Sequence, residues 1–201
     1  MVRGKIDIAA VQARVQNLLV AGDVRAAATE ALRELGPEIL RFLRSVLRDE
    51  EDAADAFSHF AEHLWKGLPS FRRQSSLRTW AYRIAWNAAL TLRSDAWHRK
   101  GRRFQTSEAS QLAEELRTKT VVRVERQRGA LEKIRMNLTA DEQSLLALRL
   151  DREFSWEEIA DILSAGGERV QPLTLMKRFE RLKKRLAEMV QQQQAEDENQ
   201  S

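Results

Sequence analysis

Only three prolines and eight glycines punctuate the 201 residues, too few chain breakers for the frequent turns of a β-sandwich or barrel. Apolar residues recur every three or four positions, as Val11, Val15, Leu18 and Leu19 do, which is the period of a helix with one buried face. The sequence therefore predicts an all-α protein. Its 43% hydrophobic content is enough for one large domain or two small ones.

Several chemistries are excluded at once. With no cysteine there is no disulfide, no thiolate metal site and no cysteine nucleophile. No apolar run approaches the ~18 residues of a membrane span, and the opening MVRGKIDIAAVQARVQ lacks the apolar core of a signal peptide, so a cytoplasmic protein without membrane insertion is expected. Gly166-Gly167 is neither followed by Lys-Ser/Thr nor preceded by a strand pattern, unlike a phosphate-binding loop. Nothing sets a catalytic carboxylate pair apart from helical surface charge. No catalytic residue, cofactor or metal is expected, and no enzyme.

Along the chain, Ile6 to Leu47 reads as helical, with residues 1–20 forming a helix of no assignable role. Gly36-Pro37 punctuates the run, and Pro37 suits the first turn of a new helix, PEILRFLRSVL. The acidic patch Asp49 to Asp52 opens the next helix, where carboxylates meet the positive end of the dipole. It ends near Leu68-Pro69. At ~100° per residue, Asp52, Asp55, His59, Glu62 and His63 share one face, and Phe57, Phe60 and Leu64 another. His59 and His63 are spaced like zinc ligands, but Phe60 stands where a zinc protease has Glu and no third ligand is evident.

A second strong helix, SLRTWAYRIAWNAALTLRSDAW, runs into HRKGRR, closing a first domain at residues 21–104. Residues 105–137 are highly charged with sparse apolar positions and read as a linker. Thr139/Glu142 and Ser155/Glu158 each match the capping box, in which side chain and backbone satisfy each other at a helix start. A third helix follows SAGGERVQP, with Pro172 at its start, and runs to about Val190. This second domain spans 138–190, and the Gln-rich, acidic tail 191–201 is expected to be disordered.

Two constellations point to a polyanion. From Arg72 to Arg103 nine basic residues face a single acid, Asp95, and Trp80, Tyr82, Trp86 and Trp97 are interleaved with them. Rings stack on unpaired bases while Arg and Lys track the backbone, although Trp80 and Trp86 read equally well as core. In the last helix Thr174, Lys177, Arg178, Arg181, Lys184 and Arg185 gather on one face, opposite Leu175, Phe179, Leu182, Leu186 and Val190. Preceded by two capped helices, that face suits a helix-turn-helix reader entering a major groove.

These residues resemble the sigma factors of bacterial RNA polymerase, in the sigma-70 family and of the extracytoplasmic-function type, from Gly22 to Met189. Asp52-Ala-Ala-Asp55 through Leu64-Trp65 is similar to the family's D-A-E-D-L-V-Q-E-x-F-L-x-x-W. SLRTWAYRIAWNAALTLR resembles its minus-ten helix, with Trp86 in place of Arg and Thr91 in place of Asp. LTADEQSLLALRLDREFSWEEIADIL and TLMKRFERLKKRL resemble its minus-thirty-five domain, with ten residues between Leu163 and Thr174 making a longer turn than the common pattern.

The resemblance implies two small helical domains joined by a linker, the second a helix-turn-helix, with core RNA polymerase and promoter DNA as partners and room for an anti-sigma factor. It implies polymerase contacts by Asp52, Asp55, His59, Leu64 and Trp65. Minus-ten contacts fall to Arg83, Trp86, Asn87, Arg93, Arg99, Lys100, Arg102 and Arg103. Minus-thirty-five contacts fall to Thr174, Lys177, Arg178, Arg181, Lys184 and Arg185. Two other readings stay open: an autonomous helix-turn-helix repressor or activator binding a palindromic operator as a dimer, and a helical adaptor whose basic faces bind acidic proteins.

Overall fold

The structure is a computed structural model that describes residues 7–95 and 137–198. Seven α-helices and no strands are found among the described residues. The expected linker through residue 136 lies outside them, as do Trp97, Arg99, Lys100, Arg102 and Arg103.

The first four helices, α1 (Ile8–Val20), α2 (Val24–Leu47), α3 (Glu50–Gly67) and α4 (Leu77–Asp95), pack side by side. Asp7, Asp23 and Asp49 cap the first three, each accepting a bond from the backbone N–H three residues on, at 3.0, 2.9 and 2.8 Å. Gly22, at φ +78°, makes the left-handed turn between α1 and α2 that side chains resist.

Pro37 does not start a helix: α2 runs unbroken through it. A helix-interior proline costs about 3 kcal/mol, but Leu32, Leu35, Ile39, Leu43 and Val46 form a continuous, fully buried stripe on either side of it. At about 1.5–3 kcal/mol for each such side chain, burial outweighs the lost hydrogen bond.

The helix at the N-terminus has a structural task. Gln12 Oε1 accepts from the Leu77 N–H at 2.8 Å and Gln16 Oε1 from Arg73 Nε at 3.0 Å, so α1 satisfies the exposed start of α4. Ser76 Oγ takes the Thr79 N–H at 3.0 Å.

The second group comprises α5 (Ala140–Leu146), α6 (Trp156–Leu163) and α7 (Pro172–Glu198). Both expected capping boxes are present: Thr139 and Glu142 exchange bonds of 3.2 and 2.7 Å, and Ser155 and Glu158 bonds of 3.2 and 2.9 Å. A π-helical stretch, Ala147–Asp151, extends α5. Contrary to the expected disordered tail, α7 continues to Glu198; Gln, Ala and Glu are good helix formers. Val190, expected on the buried side, is exposed.

The two groups share one contiguous core, with α6 against α4 and α5 against α2. At its centre Tyr82 lies between Phe42 at 5.1 Å and Phe154 at 4.9 Å. Glu38, only 5% exposed, receives the Arg78 guanidinium through two bonds of 2.9 and 3.0 Å. Arg78 also donates to the Arg152 carbonyl at 3.0 Å and stacks 4.5 Å from the Phe154 ring. Desolvation lowers the Arg78 pKa, but the hydrogen bond and charge of Glu38 more than reverse it, and the net shift is upward. No described helix is long and apolar enough to cross a membrane.

Tyr82 is the chain's single tyrosine. Burial first, and then the Glu38 charge, raise its pKa well above the phenol range against the smaller pull of Arg152 and Arg78. The unfolded chain releases this proton near pH 10, whereas the folded chain keeps it. The stability that this difference represents is intact below about pH 10 and is lost as pH rises further. Ultraviolet titration of native protein is expected to show no phenolate near pH 10, and titration in denaturant to show it there. A native tyrosine ionising at about 10 would contradict this packing.

Candidate nucleic-acid interface

Helix α3 presents the expected acidic face. Asp55 and His63 are exposed, while Asp52, His59, Glu62 and Trp65 are half-buried. Glu62 pairs with Lys66 at 2.6 Å, and that hydrogen bond holds its carboxyl below the usual range. His59 and His63 stack loosely, centroids 6.4 Å apart, with His63 Nδ1 2.8 Å from the His59 carbonyl. Leu64, expected among the polymerase contacts, faces inward. It is 0% exposed, because its position on the helix repeats the inward phase of Phe57 and Phe60 rather than that of Asp55.

Helix α4 carries the minus-ten candidates. Its buried side is set by Leu77, Ala81, Ala85, Ala89 and Leu92, leaving Asn87 and Arg93 exposed and Arg83 half-buried. Both arginines meet carboxylates of the second group. Arg83 Nη1 lies 3.2 Å from Asp161 Oδ1 on α6, and Arg93 Nη1 3.2 Å from Asp141 Oδ1 on α5. Beside them, Thr79 donates to Glu158 Oε1 at 3.0 Å.

The tryptophans separate. Trp80 is half-buried, 5.0 Å from Phe71, and rests on Gly67, where an added Cβ would come within 3.0 Å of the ring; it is a packing residue. Trp86 is 5% exposed, and its Nε1 makes no hydrogen bond among the described residues. It lines a cleft of about 720 Å³ between the two groups, together with Leu90, Gly166 and three α7 cations, Arg178, Arg181 and Arg185.

Helix α7 anchors through Leu175, Phe179 and Leu182, all buried, with Phe179 edge-on to Trp156 at 5.4 Å. Thr174, Lys177, Arg178, Arg181, Lys184 and Arg185 are all exposed on its other side. Arg185 is partly committed within the fold, donating to Glu142 Oε1 at 2.6 Å and to the Asn137 carbonyl at 2.7 Å. The long turn before α7 closes on itself: Ser164 Oγ accepts the Val170 N–H at 2.9 Å, and Gly167 sits at φ +102°. Its Gly166 rests on Leu90 of α4.

The sequence reading missed Arg78, Asp141 and Asp161, which join the two halves, and Glu38, which holds Arg78 in place. One signal was available. Glu38 falls within the apolar stripe of α2, beside Leu35, Ile39 and Phe42, and a carboxylate at a core position needs a cationic partner.

The arrangement can bind polyanions through the cations of α4 and α7. Leu64→Ala is expected to lower stability by about 2–5 kcal/mol, measured by urea unfolding without any partner. A loss below about 0.5 kcal/mol would return Leu64 to the surface.

The family model for sigma-70 region 2 matches residues 31–103, from within α2 to just beyond α4. The chain is also 31% identical over 141 residues to RNA polymerase sigma factor YlaC of Bacillus subtilis (strain 168), an alignment covering 65% of this chain and 76% of that protein. With the helical core and cationic α4 in the segment that matches, the chain belongs to the sigma-70 family of RNA polymerase sigma factors, in its extracytoplasmic-function type.

Proposed function

We propose that this alternative sigma factor directs transcription initiation with a division of labour along the chain. The exposed face of α3, through Asp55 with Asp52, His59 and Trp65, docks on core RNA polymerase. Helix α4, through Arg83, Trp86, Asn87 and Arg93, holds the minus-ten element, and the basic residues Arg99, Lys100, Arg102 and Arg103 follow the strand beyond it. Helix α7 reads the minus-thirty-five element in the major groove with Thr174, Lys177, Arg178, Arg181, Lys184 and Arg185, after the fashion of a helix-turn-helix.

The observation that carries this reading is the succession, in one chain, of a region 2 match and a capped three-helix unit whose last helix exposes a single cationic face. Backbone contacts by Lys and Arg set register, and base-edge contacts by Arg set sequence. Bond making belongs to the polymerase, and the sigma factor works in the cytoplasm beside it. Nothing in the comparisons favours a dimeric repressor.

Run-off transcription with purified core polymerase over a genomic promoter library tests the proposal. Initiation that depends on this protein, at promoters sharing a two-part element, is the expected result. Arg178→Ala is expected to cost about 1–3 kcal/mol at the upstream element, read as roughly a tenfold loss of initiation there. Asp55→Ala should weaken core binding without altering DNA preference. No initiation and no core binding, together with tight binding to palindromic duplex, would overturn the proposal.

A further inference from the structure

Two large apolar side chains stand in water where α7 begins. Leu173 is 61% exposed and Met176 42%, although Leu175, Phe179 and Leu182 of the same helix are buried. Helix phase separates the two sets. At ~100° per residue, Leu173 falls about 40° from Lys177 and Met176 about 100°, both on the flank away from Arg178. Turning them inward would expose the three buried anchors. Isolated apolar residues are ordinary on a protein surface, but these two stand one turn apart at the leading end of a cationic helix.

That end is the part of a helix-turn-helix reader that meets base edges. Three residues of helix rise about 4.5 Å, close to the ~3.4 Å step between bases of one strand. The flank beyond Met176 continues into the Glu180–Lys183 ion pair, 2.8 Å apart, and so offers phosphate no net charge. Arg178, Arg181 and Arg185, all exposed, lie on the other flank, where phosphate is the natural partner. An apolar side chain on a groove-facing flank calls for an apolar group on the DNA, and the one by which the major groove distinguishes a base is the C5-methyl of thymine.

We propose that Leu173 and Met176 are specificity residues that read the C5-methyl groups of neighbouring thymines in the minus-thirty-five element. The proposal rests on α7 being the reader of that element. Each contact takes a methyl group and part of a side chain out of water. Cytosine at the same place lacks the methyl and would turn its N4 amino donor toward a side chain that has no acceptor, so it is disfavoured twice.

Deoxyuridine isolates the methyl group, because it keeps the pairing of thymine and its O4 acceptor. Core polymerase with limiting amounts of this protein transcribes a promoter recovered from the run-off library, in which each upstream-element thymine is replaced in turn. Replacement at one or two neighbouring thymines is expected to lower initiation about fourfold, equivalent to about 0.8 kcal/mol at 1.4 kcal/mol per tenfold. In Leu173→Ser or Met176→Ser, replacing the thymine that each side chain reads changes initiation less than about 1.5-fold. Arg178→Ala, slower overall, keeps the full fourfold ratio. Both serine variants retain the buried anchors of α7, and their urea midpoints are expected to match that of the unmodified protein.

Full initiation with deoxyuridine at every upstream position, or a selected upstream element without an A·T pair, would overturn the methyl contacts while leaving α7 as the upstream reader. Serine variants that initiate poorly to the same degree on thymine and deoxyuridine templates would overturn them in favour of a protein contact on this flank. Initiation indifferent to the whole upstream element, in the unmodified protein and in Arg178→Ala alike, would remove the reader itself and the methyl contacts with it.

Discussion

Arg78 is the point through which the rest of the structure is connected. Its side chain leaves α4, forks onto Glu38 of α2, and turns its remaining donor and its flat face to the Arg152 carbonyl and Phe154 of the second unit. Lysine could not do this, since one ammonium offers neither a planar fork nor a stacking face. Burying Glu38 costs several kcal/mol that only a well-formed pair offsets, and removing one partner of such a pair typically costs 3–5 kcal/mol. The clamp therefore has one side within the first four helices and another toward α5–α7.

The Arg78–Glu38 pair lies wholly within the first four helices. What joins the halves is the Arg152 carbonyl contact, the Thr79–Glu158 hydrogen bond, the contacts of Phe154 with Arg78 and Tyr82, the Arg83–Asp161 and Arg93–Asp141 ion pairs, and the apolar surface around Tyr82 and Trp86.

Much of this was legible in the sequence. The caps at Thr139 and Ser155, the acidic start of α3 and the cationic face of α7 follow from short-range rules that tertiary contacts did not override. Pro37 misled because the stripe from Leu32 to Val46 outweighs one missing hydrogen bond. Leu64 carried two readings: helix phase sets it inward with Phe57 and Phe60, where it lies, while the family motif sets it among the contacts. Helix α7 ran past Val190 because a polar composition that cannot form a core can still form a helix. The junction between the halves was invisible, since pairing of Arg83 with Asp161 or Arg93 with Asp141 joins residues 78 and 48 positions apart through a docking that no periodicity encodes.

The central claim is that Arg78 holds the two helical units of the free chain as one cooperative body. A double-mutant cycle in urea unfolding, using Arg78→Lys and Phe154→Leu, tests it most directly, because lysine keeps the charge for Glu38 and loses the stacking face. The account predicts a single unfolding transition and a coupling of about 1 kcal/mol or more. Two separate transitions, with effects that add to within about 0.5 kcal/mol, would contradict it.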